Sequence, residues 1–225
     1  MKVGIIIQAR MASTRLPGKT LRKIGQKSLL EHILFRLSFL KHPAVVVVAT
    51  SVSSQDYVIA DFCREHGVQC FRGSETNVLA RYYHCAQGYG FDHVVRLTGD
   101  NPFTDIEELD RLIELHIVSG SDFSQSLGSL PVGVGAEIFT FAALEKSFGE
   151  ANAPHHFEHV DEFLLENLSR FKTSALEVRG AKNRPAVRLT VDTEEDYRKA
   201  CFIFEHAPGP YVATEEAIRL CSRYV

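Results

Sequence analysis

The chain has 225 residues, of which 24% are charged and 45% hydrophobic, a composition ordinary for one globular domain with a large core. Its formal net charge of -3 argues against a general nucleic-acid-binding protein, which normally carries a basic excess. The five cysteines include no C-x-x-C pair, so we expect buried, reduced thiols rather than a disulfide framework or a thiolate zinc site.

The sequence carries no sign of secretion or membrane insertion. The first apolar run, residues 3–9, is too short for the hydrophobic region of a signal peptide with its flanks. No apolar stretch approaches the length that a membrane-spanning helix needs. We therefore expect a cytoplasmic protein with no membrane partner.

Short β-branched runs alternate with longer segments of helical periodicity. Residues 3–9 and 44–50 are almost continuously apolar, which predicts buried strands. Between these two strands, Ser28 and Glu31 have the spacing of a capping box at the start of a helix. Thr104 and Glu107 have the same spacing at the start of a later helix. The pattern also predicts helices near 57–66, 77–87, 104–119 and 157–168, and strands near 68–71, 93–97, 136–141 and 187–191.

This alternation predicts an α/β fold, in which a mostly parallel sheet is covered by helices on both faces. We expect one domain over residues 1–225, with two helices at its end. Residues 121–179 break the pattern with Gly-rich turns, so we expect them to form a small inserted subdomain over the site. Ligands of such sheets bind beyond the carboxyl ends of the strands.

The loop after the first strand, residues 8–19, carries three cations within ten residues: Arg10, Arg15 and Lys19. Small and turn-forming residues let its backbone approach a ligand closely. Guanidinium forks, an ammonium and nearby hydroxyls such as that of Ser13 suit a polyphosphate. A solvated basic turn is the alternative interpretation.

Two further strand-end loops each supply a carboxylate. Asp100 follows an apolar strand in the segment 97–102, and Asp192 closes the apolar run 187–191. Thr193 is expected to cap the next helix. Mg²⁺ in proteins takes one or two carboxylates together with phosphate oxygens, so the two residues are candidate metal ligands. Each carboxylate alone has a simpler interpretation as a turn or cap residue.

The motifs together resemble the sialic-acid-type (acylneuraminate) cytidylyltransferase family, most closely its spore-coat polysaccharide biosynthesis branch. The segments that carry the resemblance are 10–19 (RMASTRLPGK), 71–75 (FRGSE), 78–82 (VLARY), 96–100 (RLTGD) and 191–193 (VDT). The resemblance covers nearly the whole chain. It implies a Rossmann-like nucleotide-diphosphosugar-transferase fold, CTP as the nucleotide and Mg²⁺ as the cofactor.

The resemblance also implies a function and roles for residues. We expect coupling of CTP to a sugar, expected to be acidic, to give a CMP-sugar and pyrophosphate for surface polysaccharide or glycan synthesis, in a homodimer. Arg10, Lys19 and Asp100 are assigned to catalysis, and Asp100 and Asp192 to the metal. The residues assigned to the nucleotide are Gln8, Ala9, Arg10, Ser13, Arg15, Lys19 and Thr98.

The sugar side is less well defined by the sequence. Arg72, Arg96, Glu137 and His159 are candidate substrate-binding residues, each with a structural ion-pair or packing role as the alternative. Family members often carry an acidic residue where Gly135 stands, which leaves the sugar contacts open.

Three other functions compete with this interpretation. The segment 18–20 (GKT) suggests a P-loop kinase or NTPase, although that pattern needs a glycine at Ser13. Residues 155–159 (HHFEH) fit the inverted zinc-peptidase pattern, but a third ligand is not evident. A non-catalytic nucleotide-binding protein would keep the basic loop without needing two carboxylates. The dinucleotide fingerprint is absent after the first strand, which argues against NAD.

Overall fold

A seven-stranded sheet forms the centre of the computed structural model, which describes residues 1–224. A separate two-stranded hairpin consists of β2 (Lys23–Ile24) and β3 (Lys27–Ser28). The strands of the large sheet are β1 (Val3–Gln8), β4 (Ala44–Ser51), β5 (Gln69–Gly73), β6 (His93–Thr98), β7 (Phe123–Gln125), β8 (Glu137–Thr140) and β9 (Thr173–Ala175).

The order of the strands in the sheet is β5-β4-β1-β6-β8-β7-β9. Strands β5, β4, β1 and β6 are mutually parallel, whereas β8 is antiparallel to β6 and β7, and β9 is parallel to β7. The chain runs from β1 outward to β4 and β5 and returns to β6 on the other side of β1. This reversal opens a crevice at the carboxyl end of β1, where ligands of such sheets bind.

Helices cover both faces of the sheet. They are α1 (Leu29–Leu37), α2 (Tyr57–Glu65), α3 (Val78–Tyr89), α4 (Ile106–Ser119), α5 (Phe141–Glu150), α6 (Pro154–Glu158), α7 (Glu162–Glu166), α8 (Glu194–His206) and α9 (Thr214–Cys221). Because side chains alternate along a strand, Ile5 and Ile7 of β1 pack into one hydrophobic core and Ile6 into the other. The predicted α/β fold with a mostly parallel, doubly covered sheet is confirmed.

Several helix starts agree with the sequence. Ser28 and Glu31 form the expected capping box at the start of α1. Thr193 caps α8 by accepting a hydrogen bond from the backbone N–H of Asp196, as predicted. His155 lies in the first turn of α6, directly after Pro154.

The predicted cap of α4 is wrong by one residue. The carboxylate of Asp105, rather than the hydroxyl of Thr104, accepts the hydrogen bond from the backbone N–H of Glu108. The Thr104 hydroxyl instead donates to the carbonyl of Asn101. Asp105 also accepts a hydrogen bond from the hydroxyl of Thr214, the first residue of α9. This contact with a helix distant in sequence favours Asp105 over Thr104 as the cap.

Two other predicted elements differ. The helix predicted over 157–168 is broken into α6 and α7, because His159 is extended and the Val160 side chain enters the core. The strand predicted over 187–191 is not part of the sheet, since its single bridge joins Arg188 to Val132. Leu189 and Val191 are nevertheless buried, as the apolar pattern indicates.

The segment 121–179, predicted to be an inserted subdomain, contributes β7, β8 and β9 to the large sheet and supplies α5 to α7. All five cysteines are free. Cys63 and Cys85 are buried as expected, while Cys70, Cys201 and Cys221 are half-buried. Over the described residues, no helix is both long and apolar enough to span a membrane.

Candidate active site

A cavity of about 180 Å³ opens at the carboxyl ends of β1 and β6, in the predicted crevice. The residues that line it are Gln8, Arg10, Ser13, Thr14, Arg15, Lys19, Thr98, Asp100 and Asp192. The structure therefore brings the three predicted loops together. Of the residues assigned to nucleotide, metal or catalysis, Ala9 does not line the cavity; it is buried, and its N–H donates to the carbonyl of Ala49.

The basic loop is shaped by its own backbone. The carbonyl of Met11 accepts hydrogen bonds from the N–H groups of Ser13 and Gly18, at 2.9 and 3.0 Å. Gly18 has a φ of 73°, in the left-handed region that favours glycine, and it precedes a single 3-10 turn at Lys19–Leu21. This closed turn directs the Lys19 side chain inward, where its side chain is only 11% exposed.

The buried carboxylate of Asp56 holds this loop against the rest of the protein. One of its oxygens accepts a hydrogen bond from the backbone N–H of Met11 at 2.7 Å. The other accepts from the backbone N–H and the hydroxyl of Ser51 at 3.2 and 2.5 Å. Sequence reasoning missed Asp56, because nothing local marks a residue that acts on a loop 45 positions earlier.

The Lys19 ammonium lies between the two carboxylates predicted to bind metal. It donates to Asp100 Oδ2 at 2.6 Å, to Asp192 Oδ1 at 2.8 Å and to the carbonyl of Val191 at 3.0 Å. Since an ammonium has three protons, these bonds occupy its full donor capacity. The two carboxylates thus converge on one cation.

Asp192 is surrounded by positive charge. Besides Lys19, it contacts Arg15 at 3.0 Å through Oδ1 and Arg188 at 2.5 Å through Oδ2. Burial alone would raise the pKa of Asp192, but hydrogen bonds and charge from Lys19, Arg188 and Arg15 hold that pKa below its ordinary value. Asp192 therefore remains ionised throughout the neutral range.

Arg188 is a second residue that sequence reasoning missed. Its guanidinium bridges Asp192 and Asp196, with Nε 3.2 Å from Asp196 Oδ1. Burial opposes ionisation of Asp196, yet Arg188 and the backbone N–H of Asp192 lower its pKa to about 2. The Arg188–Asp192 spacing of four residues was the available signal, but in a segment predicted to be a strand it did not suggest a contact.

Asp100 is oriented by its own loop. The Thr98 hydroxyl donates to Asp100 Oδ1 at 2.6 Å, and the side-chain amide of Asn101 donates to the same hydroxyl at 2.8 Å. The backbone carbonyl of Asp100 accepts from the N–H of Val191 at 2.9 Å, which joins the second loop to the third. The Asp100–Asp192 spacing is thus determined by backbone as well as side-chain contacts.

The opposite wall of the cavity consists of groups suited to an anion. Arg10 is exposed and, alone among Arg10, Arg15 and Lys19, has no carboxylate partner among residues 1–224. Ser13 and Thr14 add hydroxyls, and the buried Gln8 Oε1 has no hydrogen-bond partner within the described chain. Cations and hydroxyls on one side and carboxylates on the other form a site that can hold a polyphosphate and a divalent cation together.

The four candidate sugar-side residues lie outside the nine that line the cavity. Arg96 on β6 pairs with Glu137 on β8, and Asp161 lies 4.0 Å from the same guanidinium nitrogen. Burial raises the pKa of Glu137 to about 7, against the opposing effect of Arg96, and the nearby Asp161 adds to the rise. Arg72 donates to the carbonyls of Ser51 and Ser53. His159 is exposed.

The structure does not place the zinc-peptidase pattern in one site. His155 and His156 both hydrogen-bond Glu166, at 2.7 and 2.8 Å, while Glu158 and His159 lie outside that group. Two backbone N–H groups point at Nδ1 of His156, which assigns the proton of that ring to Nε2. Nε2 therefore donates to Glu166.

The P-loop interpretation also fails on geometry. A P-loop is followed by a helix whose first turn faces the phosphates. Here the lysine of the GKT segment opens a 3-10 turn of three residues, and the chain then enters the β2–β3 hairpin. Lys19 points at carboxylates rather than across a cradle of backbone N–H groups.

The doubly covered parallel sheet, together with a pocket of cations and carboxylates at its carboxyl edge, defines a Rossmann-like α/β protein whose site is chemically suited to a polyphosphate. Residues 4–220 match the sequence profile of the family described as Cytidylyltransferase. Because the match spans nearly the whole chain, this chain belongs to the cytidylyltransferase family.

Individual relatives agree with this assignment. The spore coat polysaccharide biosynthesis protein SpsF of Bacillus subtilis is 36% identical over 224 residues, which cover 97% of this chain and 93% of SpsF. A cytidylyltransferase from Leptospira borgpetersenii superposes with a TM-score of 0.92 at 33% identity, covering 99% of this chain and 94% of its own. A CMP:2-keto-3-deoxy-manno-octonic acid synthetase complexed with CTP superposes at 0.67 and 17% identity, covering 91% and 99%, and shares the fold.

Proposed function

We propose that this protein couples CTP to a sugar, with Mg²⁺ as cofactor, to give a CMP-sugar and pyrophosphate. The observation that carries the proposal is the convergence of Arg10, Arg15 and Lys19 with Asp100 and Asp192 in one cavity of a cytidylyltransferase-family chain. A hydroxyl of the sugar would attack the α-phosphorus of CTP, and pyrophosphate and one proton would leave.

The residues of the chain would act mainly by positioning and by charge. Arg10 and Arg15 line the cavity and would bind the phosphates and stabilise negative charge on the departing pyrophosphate. Ser13, Thr14 and Gln8 supply neutral hydrogen-bonding groups along the same wall. No covalent intermediate is needed, because holding the two reactants in line already contributes much of the rate enhancement.

Asp100 and Asp192 suit a magnesium ion by their chemistry. Both are carboxylates, the ligands that Mg²⁺ prefers, and one oxygen of each already shares a single cation, the Lys19 ammonium. When bound, Mg²⁺ supplies positive charge that neutralises and aligns the phosphates. Thr98 and Arg188 would keep the two carboxylates oriented.

We further propose that the sugar is acidic, that the enzyme is of the sialic-acid type and that its product serves surface polysaccharide synthesis. The name of SpsF supports a role in polysaccharide synthesis, and that of the octonic acid synthetase supports an acidic sugar. A homodimer is part of the same proposal, supported by the exposed Leu165 and Leu168, and sedimentation analysis tests it.

The test is pyrophosphate release with each nucleoside triphosphate against a panel of acidic and neutral sugars, with and without Mg²⁺. Release that requires CTP, the metal and one sugar supports the proposal and identifies the substrate. Transfer of the γ-phosphate without pyrophosphate would favour a kinase instead. CTP binding without turnover on any sugar would favour a non-catalytic nucleotide-binding role.

An Asp100→Ala variant tests the assignment of Asp100. Removal of a carboxylate that orients a catalytic metal should lower turnover by about a hundredfold or more. Near-normal turnover in this variant would contradict the assignment of Asp100.

A further inference from the structure

The Lys19 ammonium occupies the position between the two carboxylates that the proposed reaction assigns to metal. Its nitrogen lies 2.6 Å from Asp100 Oδ2 and 2.8 Å from Asp192 Oδ1. The third proton is donated to the carbonyl of Val191 at 3.0 Å. The carboxylate oxygens that face each other across the site therefore already share one cation.

The same three residues cannot fill their expected roles in this arrangement. Lys19 is expected to bind phosphate, but its donors are all directed at the metal-side oxygens. A divalent cation at those oxygens would lie next to the ammonium, and two like charges at such a distance repel strongly in a partly buried site. Arg15 and Arg188 on Asp192 add to this repulsion.

Charge balance points the same way. Four cations, Arg15, Lys19, Arg188 and Lys199, face the three carboxylates of Asp100, Asp192 and Asp196. The cluster thus has no excess of negative charge without any metal, so it has little attraction for a free divalent ion. A polyphosphate brings several negative charges to the Arg10 side and reverses that balance.

We infer that Lys19 and a divalent cation compete for Asp100 and Asp192, and that a triphosphate admits the cation by drawing the Lys19 ammonium to itself. This inference rests on the proposed function, because it assigns the metal to these carboxylates. Lys19 then acts as an internal counter-ion that couples metal binding to nucleotide binding.

The surrounding contacts allow this exchange. Lysine carries its charge on a flexible four-carbon stem, so the ammonium can move by side-chain rotation alone. The cavity that lies beside it is lined by Arg10, Ser13 and Thr14, whose charge and hydroxyls suit a polyphosphate. Asp100 stays bonded to Thr98 and Asp192 to Arg188, so both carboxylates remain in place when Lys19 leaves.

The experiment measures Mn²⁺ binding, as a paramagnetic substitute for Mg²⁺, by electron paramagnetic resonance without nucleotide or sugar. Wild-type protein is compared with Lys19→Gln and Lys19→Met, and with Lys23→Gln as a control that removes an exposed charge four residues away. We expect both Lys19 variants to bind Mn²⁺ at least about tenfold more tightly than wild type. The Lys23 variant should match wild type.

Two further arms identify the site and the coupling. Adding Asp100→Asn to Lys19→Gln should abolish the gained Mn²⁺ binding if the ion lies between the carboxylates. Inorganic tripolyphosphate, at a fixed concentration of free Mn²⁺, should increase enzyme-bound Mn²⁺ in wild type by a larger factor than in Lys19→Gln.

Equal Mn²⁺ affinity in wild type and both Lys19 variants overturns the inference. So does tight, Asp100-dependent binding of free Mn²⁺ to the wild-type protein, a result that does not depend on how the variants fold. None of these arms contains a nucleoside or a sugar. Failure of CTP turnover would therefore contradict the proposed function while leaving the competition measurable, and the reverse also holds.

Discussion

At the scale of single residues, Arg188 does not line the cavity but pairs with Asp192, which does. Its fork holds Asp192 and Asp196 at once. Loss of such a supporting contact to a metal-side carboxylate typically costs about 10–100-fold in activity or metal affinity. We expect Arg188→Met to lower the rate of pyrophosphate release by that factor, measured at saturating CTP.

The conservative variant sharpens this prediction. Arg188→Lys keeps the charge but loses the two-pronged geometry, so its rate should lie between those of wild type and Arg188→Met. Arg179→Met removes an arginine that is 90% exposed and should leave the rate unchanged. If Arg188→Met retains full activity, the orienting role of Arg188 is wrong.

Gly135 is important for a different, steric reason. A Cβ atom there would lie 3.0 Å from Ser126 Oγ and 3.1 Å from Leu127 Cδ2, closer than ordinary van der Waals contact. We expect Gly135→Ala to destabilise the protein by about 1–3 kcal/mol, because overpacking forces neighbours to move. Chemical denaturation measures the loss, and Gly128→Ala, where nothing lies within 4 Å, is the matched control.

The same contact bears on the acidic residue that the family resemblance leads us to expect at Gly135. An acidic side chain at this position would have to displace Ser126, whose hydroxyl accepts from the N–H of Ala136 at 2.9 Å. The glycine is therefore part of the local packing between β7 and β8. Equal stability of the Gly135 and Gly128 variants would show that this packing can relax without cost.

At the scale of elements, the start of α4 depends on Asp105. Its buried carboxylate caps the helix, accepts from the Thr214 hydroxyl at 2.5 Å and lies 3.1 Å from the Lys182 ammonium. We expect Asp105→Ala to cost about 2–4 kcal/mol in the free energy of unfolding, since it removes a cap and a buried charged partner. Urea unfolding measures this.

Thr104 supplies the comparison for this prediction. Its hydroxyl makes one hydrogen bond, to the carbonyl of Asn101, so Thr104→Val should cost only about 1 kcal/mol. If Thr104→Val lowers the free energy of unfolding more than Asp105→Ala does, then Thr104, the residue that the sequence pattern favours, is the cap of α4.

The elements also show what the sequence can predict. Hydrophobic periodicity identified β1, β4 and α1 because their apolar residues follow the period of a strand or helix. The break between α6 and α7 was missed, since it depends on Val160 entering a core built by other elements. Periodicity within a segment carries no information about what that segment packs against.

The candidate site was predictable to a similar degree. Two of the three loops could be named because the parallel strands β1 and β6 place their carboxyl ends along one edge. The third loop follows the segment 187–191, which reaches the same site without joining the sheet. The pairing of Lys19 with both carboxylates could not, because it joins positions 81 and 173 residues apart. Residue types in a loop predict chemistry, whereas the partner of each charge requires the fold.

At the scale of the whole molecule, a partly buried row of hydrogen-bonded side chains joins β6, α4, β7 and β9. His116 of α4 contacts His93 Nδ1 on β6 at 3.1 Å and the Ser124 hydroxyl on β7 at 2.8 Å. Ser124 in turn contacts the hydroxyl of Ser174 on β9 at 2.7 Å. These hydrogen bonds therefore link β6 and α4 to β7 and β9 through neutral groups.

His116 in this row makes the free energy of unfolding depend on pH. Burial, with a smaller effect from His93, lowers the pKa of His116 from 6.5 to about 4. The unfolded state therefore binds more protons than the folded state between these values, so the contribution of His116 is fully present above pH 6.5 and is lost as pH falls to about 4. The loss should reach at most about 3 kcal/mol, measured by denaturant unfolding across that range.

A His116→Gln variant isolates this effect from the carboxylates that also titrate in acid. It should be less stable than wild type at pH 7, because it cannot reproduce both contacts of the ring. The gap should narrow toward pH 4, since the variant has no imidazole to protonate. His206→Gln, at an exposed position, should run parallel to wild type. If the difference in unfolding free energy between wild type and His116→Gln stays constant from pH 7 to pH 4, protonation of His116 does not cause the loss of stability in acid.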